Sequence, residues 1–186
     1  MNIIIVPQNN KSFYCRPDST LIRALDDYFI PDYVESIEIA PVLYIKTFRA
    51  GKAIAQRFIN RYIDSYGYGL LIIPNLKSEY SENREFIANT LDFTSIIPLE
   101  KSSLDSYQDA SSDNIIYKVN NDSVFTDFKL PTIEDIFSSI SKISDFCSLR
   151  IGDFICFQRD TPIKISLGDI VSCHKADQQL FNFTIK

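Results

Sequence analysis

The chain has 186 residues, 45% of them hydrophobic and 13% aromatic, with five Gly and a formal net charge of −5. That length suits one domain with a substantial core, and so many aromatics with so little Gly point to packed, β-rich structure rather than disorder. The negative charge, without any Lys/Arg cluster longer than two, excludes duplex nucleic acid and anionic membrane surfaces as natural partners, and no apolar run approaches the ~20 residues of a membrane helix.

The opening MNIIIVPQ is a short apolar run without a basic lead or a small-residue cleavage site, so it reads as a strand over 2–6 and not as a signal peptide. Similar runs bounded by Pro, Asn and Asp predict strands near 12–15, 37–47, 68–73, 94–97, 114–119, 153–157, 169–174 and 179–185. One of them, IEIAPVLYIK, contains Pro41, which has no N–H for a ladder and is expected at an edge or bulge. Helical spacing marks two segments. In 52–65, Ile54, Phe58, Tyr62 and Ile63 share a face. The second starts at Thr132, a suitable N-cap, with Glu134 and Asp135 in its first turn and an apolar stripe of Ile133, Ile136, Phe137, Ile140, Ile143 and Phe146. Residues 77–90 read as a loop with a helical turn, and the polar KSSLDSYQDASSD, 101–113, as a solvated surface loop. No internal repeat or linker is present, so a single mixed α/β domain rich in strands is expected.

Cys15, Cys147, Cys156 and Cys173 lack CxxC spacing, and His174 is the sole histidine, which argues against structural zinc. Buried, reduced thiols of a cytoplasmic protein are expected. Cys156 and His174 would form a nucleophile pair only if their strands adjoin; an inert buried thiol is the simpler reading. Tyr62, Tyr66 and Tyr68 are read as core and rim packing.

The segment TIEDIFSSISKISDFCSLRIGDFICF, with Leu149, Gly152 and Asp153, resembles the helix, L-x-x-G-D turn and strand of fumarylacetoacetate hydrolase-like proteins. A second Gly-Asp turn at Gly168 and Asp169 and the closing QQLFNFTIK fit the same pattern. Upstream, RPDSTLI, FIPDY and GKAIAQRFINRYIDSYGYG follow in order at compatible spacings. The resemblance covers most of the chain. It implies an α+β, mainly β fold, a mixed β-sheet roll or sandwich with two helices, as a single domain over 1–186 with a shortened N-terminal region.

The resemblance also implies a chemistry. Members of the family hold a divalent cation, Mg, Mn or Ca, with two Glu at i and i+2 of one strand and an Asp of a later strand. Alternate strand residues share a face, which lets such carboxylates converge on one ion. The cation then stabilises an enolate as a C–C bond breaks or a proton moves, assisted by a Lys and an N-terminal His–Glu pair. Carried over residue by residue, the Glu positions fall on Ala40 and Val42, the Asp position on Leu71 and the Lys position near Ala88. The family's Gly-Thr-Pro reads Gln158-Arg159-Asp160, and the chain passes from PQNN to KSFY without a loop for the His–Glu pair. Sliding the register leaves one carboxylate at most, Glu38; Glu35 and Glu38 are spaced by three, not two.

The expectation is therefore a non-catalytic homologue, a pseudoenzyme of the family's hydrolases, decarboxylases and isomerases. It would lack the metal and have a binding or assembly role, as a homodimer or with an active paralogue. Two alternatives stand beside it. One is a metal-independent enzyme or small-carboxylate binder in which Arg16 and Arg159 form an anion clamp through bidentate forks; a surface pairing of Arg159 with Asp160 is the plainer reading. The other is an active family hydrolase or isomerase in a different register.

Overall fold

A computed structural model describes residues 1–8, 12–23, 27–80, 82–107, 113–125, 129–159 and 161–186. The strands are β1 (Asn2–Val6), β2 (Tyr14–Pro17), β3 (Leu21–Ile22), β4 (Asp27–Tyr28), β5 (Val34–Thr47), β6 (Ile63–Leu76), β7 (Ser95–Ile96), β8 (Ser102–Ser103), β9 (Ile115–Val119), β10 (Asp122–Val124), β11 (Phe154–Gln158), β12 (Ile163–Ile165), β13 (Ile170–Lys175) and β14 (Gln178–Ile185). Among the described residues two α-helices accompany them, α1 (Arg84–Ala88) and α2 (Ile133–Phe146).

Among the described residues the larger sheet runs β2-β1-β11-β5-β6-β7-β3, with β12 beside β5 and β8 beside β6; the smaller runs β10-β9-β13-β14-β4. Both are mixed, since β1 runs parallel to β11, β3 to β7 and β4 to β14. The strands at the two ends of the larger sheet, β2 and β3, are joined by a single 3₁₀ turn, Asp18–Thr20. So short a link obliges the sheet to curl until its ends approach, and the result is a roll. The mainly β roll expected for the chain is the fold observed.

Alternation along the strands then sorts the core. Residues of one face, Ile3, Ile5, Val42, Tyr44, Leu71, Phe154 and Cys156, form an apolar cluster inside the roll. The outer face is covered in two places. One end, with Leu43, Ile45, Ile155 and Phe157, packs on Ile136, Ile140 and Ile143 of α2. The other, with Ile37, Ile39, Leu70 and Ile72, packs on Tyr117, Val171, Cys173 and Phe183 of the smaller sheet.

Helix α2 follows its sequence signals. The Thr132 hydroxyl accepts from the Asp135 N–H, and the Asp135 carboxylate accepts from the Thr132 N–H, a reciprocal capping box. Phe146, at the end of the stripe, is 77% exposed and meets Phe13 edge-on at 5.8 Å. Both Gly-Asp turns share one device. Gly152 and Gly168 take φ of 86° and 91°, and the following Asp side chains accept from the N–H groups of Arg150 and Ser166.

Several expectations are corrected. The segment 52–65 is not an α-helix. Gly51 bridges Leu149, Ala53 takes φ of 49°, and the Ala53 and Ile54 N–H groups bond Ser144 of α2, so the chain is bound to α2 before a helix can begin. A 3₁₀ turn, Gln56–Arg61, follows, and from Ile63 the chain is already pairing with β5. Its apparent helical face instead packs against α2. Pro41 lies in a central strand, but at a local edge. On one flank β11 ends opposite Val42 and β12 begins opposite Ile39, and the Pro41 carbonyl faces that gap, accepting from the Arg159 N–H. The nitrogen without hydrogen faces the same gap, so no ladder bond is lost. Within 101–113 the chain is not simply solvated: β8 pairs with β6 and Tyr107 is buried, while 108–112 lie outside the described residues. Cys156 and Cys173 are buried, but Cys15 is exposed, because β2 is an edge strand, and Cys147, the C-cap of α2, is half-buried. The short strands β3, β4, β8, β10 and β12 escape sequence reading, since two or three residues carry no period.

Candidate functional site

The candidate site is the inside of the roll. Ala40, Val42 and Tyr44 alternate onto that face of β5, and across the ladder Ala40 pairs with Leu71, Val42 with Gly69 and Tyr44 with Gly67. Ala40, Val42 and Leu71 all have zero exposure. Ile5, Cys156 and Ile97 complete a contiguous apolar cluster, with Tyr14, Leu21 and Ile73 at its margin. Ala40 and Leu71 thus meet as the residue-by-residue transfer requires, but they meet as packed apolar side chains.

The two glycines of β6 make this packing possible. A Cβ on Gly67 would stand 2.3 Å from the Tyr44 hydroxyl oxygen, and one on Gly69 would stand 2.5 Å from the Ile96 carbonyl oxygen. The missing side chains let the Tyr44 ring lie across the strand and β7 close against it. The Tyr44 hydroxyl donates to the carbonyls of Pro98 and Glu100, tying the roll to the segment after β7. Desolvation drives its pKa above the usual phenol range.

Arg16 enters from the opposite side. On β2 it pairs with Ile3, whose side chain belongs to the interior cluster, and it is 1% exposed. Its guanidinium reaches across the roll, donating through Nη1 to the carbonyls of Ile72 and Thr94 and to the Ser95 hydroxyl. Burial lowers its pKa, partly offset by Tyr14, and Nε has no hydrogen-bond partner. Thr20, next to Ser95 at 3.0 Å, continues this polar seam. A second arginine, missed in the sequence, closes the same face: Arg23 lies over the Phe154 ring at 4.9 Å and donates to the Ile97 carbonyl. Its signal is faint, a lone base after the β3 pair Leu21–Ile22.

Other transferred positions do not join the site. Ala88 lies on α1 and packs in the cluster between the two sheets, on the far side of β6 from Leu71. Arg159 is also on the outer face. Its Nε donates to the Lys129 carbonyl, and Tyr107 and Asp135, on the α2 side, offset the lowering of its pKa by burial. The two arginines therefore do not converge: Arg16 pairs with Ile3, which pairs with the inward-facing Phe154, whereas Arg159 follows Phe154 by an odd number of residues and falls on the outer side. Asp160, the other half of the surface pair, lies outside the described residues. Glu38 is on the inner face but half-buried, between Lys164 and Ile73, and Glu35 is exposed. Among the described residues no three His, Cys, Asp or Glu side chains converge. Cys156 and His174 are in different sheets, on β11 and β13; burial pushes the Cys156 thiol up to about 12.

A polar cluster unseen in the sequence joins the sheets on the outer side. Asp113 accepts from the Tyr66 and Tyr68 hydroxyls at 3.2 and 2.9 Å and pairs with Lys175 at 3.1 Å. Lys175 also reaches the Ser102 hydroxyl. These residues come from β6, β8, the segment before β9 and β13. Their separation in sequence is why only the fold reveals them.

No protein-family model matches the chain, and no curated protein does. Solved structures do. A protein placed in the fumarylacetoacetate hydrolase family, from Yersinia pestis CO92, superposes with a TM-score of 0.75 at 18% identity, over 100% of this chain and 92% of that one. Maleylpyruvate hydrolase from Sphingobium sp. SYK-6 gives 0.75 at 18% identity, over 99% of this chain and 69% of that one. Fumarylpyruvate hydrolase from Pseudomonas aeruginosa, in complex with Mn²⁺ and pyruvate, gives 0.74 at 13% identity, over 100% and 89%. This chain has the fold of the fumarylacetoacetate hydrolase-like proteins.

Proposed function

We propose that this protein is a non-catalytic relative of the metal-dependent hydrolases and isomerases that share its fold, without a resident divalent metal and with a binding or assembly role. The observation that carries the reading is the chemistry of one face. Where converging carboxylates are expected, Ala40, Val42 and Leu71 stand fully buried, Val42 and Leu71 within an apolar cluster and Ala40 paired with Leu71. Methyl groups offer no lone pairs to a hard cation, which takes oxygen ligands. Without a cation, facing carboxylates would repel and lose hydration, so apolar replacements stabilise the roll.

Arg16 supports the same reading. A buried guanidinium whose Nη1 donates to the backbone carbonyls of Ile72 and Thr94 fastens β2 to β6 and to the residue before β7, and its positive charge opposes a cation beside it. A two-arginine clamp for a carboxylate is not favoured, because Arg159 lies on the other face. The unpaired thiols accord with a cytoplasmic location, and a homodimer, or a complex with an active paralogue, is the assembly proposed.

Metal analysis of the purified protein, with turnover of oxaloacetate and an acylpyruvate in added Mg²⁺ or Mn²⁺, tests the proposal. Sub-stoichiometric metal and background turnover are expected. Tight stoichiometric metal, or turnover well above background, would overturn it. Sedimentation tests the assembly, with a dimer expected.

A further inference from the structure

A cleft of about 500 Å³ opens at the corner where the edge strands β3 and β4 of the two sheets approach each other. It is lined by Ile22, Tyr28, Phe29, Tyr33, Leu91 and Phe93, together with Asp27, Pro31, Thr90 and Asp92. The cleft is separate from the site above. Ile22 and Tyr28 belong to the cluster between the sheets, whereas Leu21, one residue earlier, faces the roll interior.

The lining has a consistent chemistry. Four aromatic rings surround a space of ligand size, and three of them stay accessible, with Phe29, Phe93 and Tyr33 exposed by 69%, 52% and 38%. Tyr80 extends the wall, edge-on to Tyr33 at 6.2 Å. The ionisable residues lining the cleft are two acids, Asp27 and Asp92, and two phenols. One acid already holds an ammonium, the Lys186 Nζ at 2.8 Å from Asp27. Asp92 is exposed and has no hydrogen-bond or ion-pair partner among the described residues. Ring faces carry negative charge density, so rings plus a free carboxylate favour a positive charge on an apolar body. Of the cations nearby, Lys186 is already neutralised by Asp27, so the lining offers an anionic ligand little attraction.

We propose that this cleft binds an organic cation, an ammonium or guanidinium with an apolar body, seated on Phe29, Tyr33 and Phe93 and paired with Asp92. A free amine and the Lys or Arg side chain of a peptide share that chemistry.

The test titrates the full chain with choline, with the neutral isostere in which carbon replaces the nitrogen, and with a blocked lysine tripeptide, following the Tyr and Phe ring signals by NMR. Saturable shifts of Phe29, Tyr33 and Phe93 with a cation are expected, with the neutral isostere about fivefold weaker or worse. Phe93→Ala and, separately, Phe29→Ala should abolish saturation, and Asp92→Asn should weaken it about threefold. Thermal melts verify that each variant is folded. Tighter binding of choline than of the tripeptide assigns a free amine, and the reverse assigns a peptide side chain. Equal binding of the neutral isostere, no saturation with any cation, or indifference to both aromatic variants would overturn the proposal.

Discussion

Ala40 of β5 and Leu71 of β6 are direct cross-strand partners, both with zero exposure, on the inner face of a rolled sheet. Val42 follows on the same face. A carboxylate at any of these positions would lie in an apolar cluster, out of reach of water.

The substitution Val42→Glu therefore costs more than about 3 kcal/mol, as an unpaired buried charge does. The double variant Ala40→Glu/Val42→Glu is expected to unfold at lower urea still, with a midpoint indifferent to Mn²⁺. A Mn²⁺-dependent rise in that midpoint would mean that the roll still has the geometry of a metal site, because a ligand that binds the folded state stabilises it by mass action.

Gly69→Ala tests the close approach of β7. Its new Cβ would fall 2.5 Å from the Ile96 carbonyl oxygen, a backbone atom that cannot turn aside. A loss of about 1–3 kcal/mol is expected from overpacking. Gly152→Ala is the contrasting case: the space around it is open, but φ is 86°, so only the conformational penalty of about 1 kcal/mol applies. Thermal unfolding of the two variants should rank them in that order, and a reversed order would contradict it.

Asp113→Ala leaves Lys175 and two buried tyrosines without their shared acceptor, and a loss of about 2 kcal/mol is expected. A double-mutant cycle with Lys175→Met in urea denaturation should give a coupling of about 1 kcal/mol. A coupling near zero would mean that this cluster does not tie the sheets.

Stability should fall at alkaline pH. Burial raises the thiols of Cys156 and Cys173 from 9.0 to about 12, and the phenol of Tyr28 from 10.0 to about 12. Tyr44, Tyr68 and Tyr107 are driven higher still. Each group is neutral when protonated, and its folded pKa lies above its unfolded value. Their contribution is thus full below the unfolded values and is lost as pH rises through the folded ones. Above about pH 9 the unfolded chain releases protons first, and each titrating group lowers stability by up to ~1.4 kcal/mol per pH unit. Urea midpoints constant from neutral pH to about pH 11 would refute this.

The long elements were legible in the sequence because they carry a period. The N-cap at Thr132, the Ile136–Ile140–Ile143 stripe and the two Gly-Asp turns each hold their chemistry within a few residues, and each formed as read. The failures share a different cause. The face made by Ile54, Phe58 and Tyr62 looks helical but belongs to a 3₁₀ turn, because Ala53 and Ile54 bond Ser144 ninety residues away in the chain.

By itself, then, the sequence determined a mainly β fold, its principal strands, one long helix and the apolar identities at positions 40, 42 and 71. Tertiary structure decided what those strands enclose. Whether Pro41 costs a ladder bond depends on where β11 stops and β12 begins. Whether Arg16 and Arg159 can share an anion depends on which face each side chain takes, and the fold puts them on opposite sides. Hydrogen bonds and burial join residues by distance in space, and only the folded chain fixes which distant residues become neighbours.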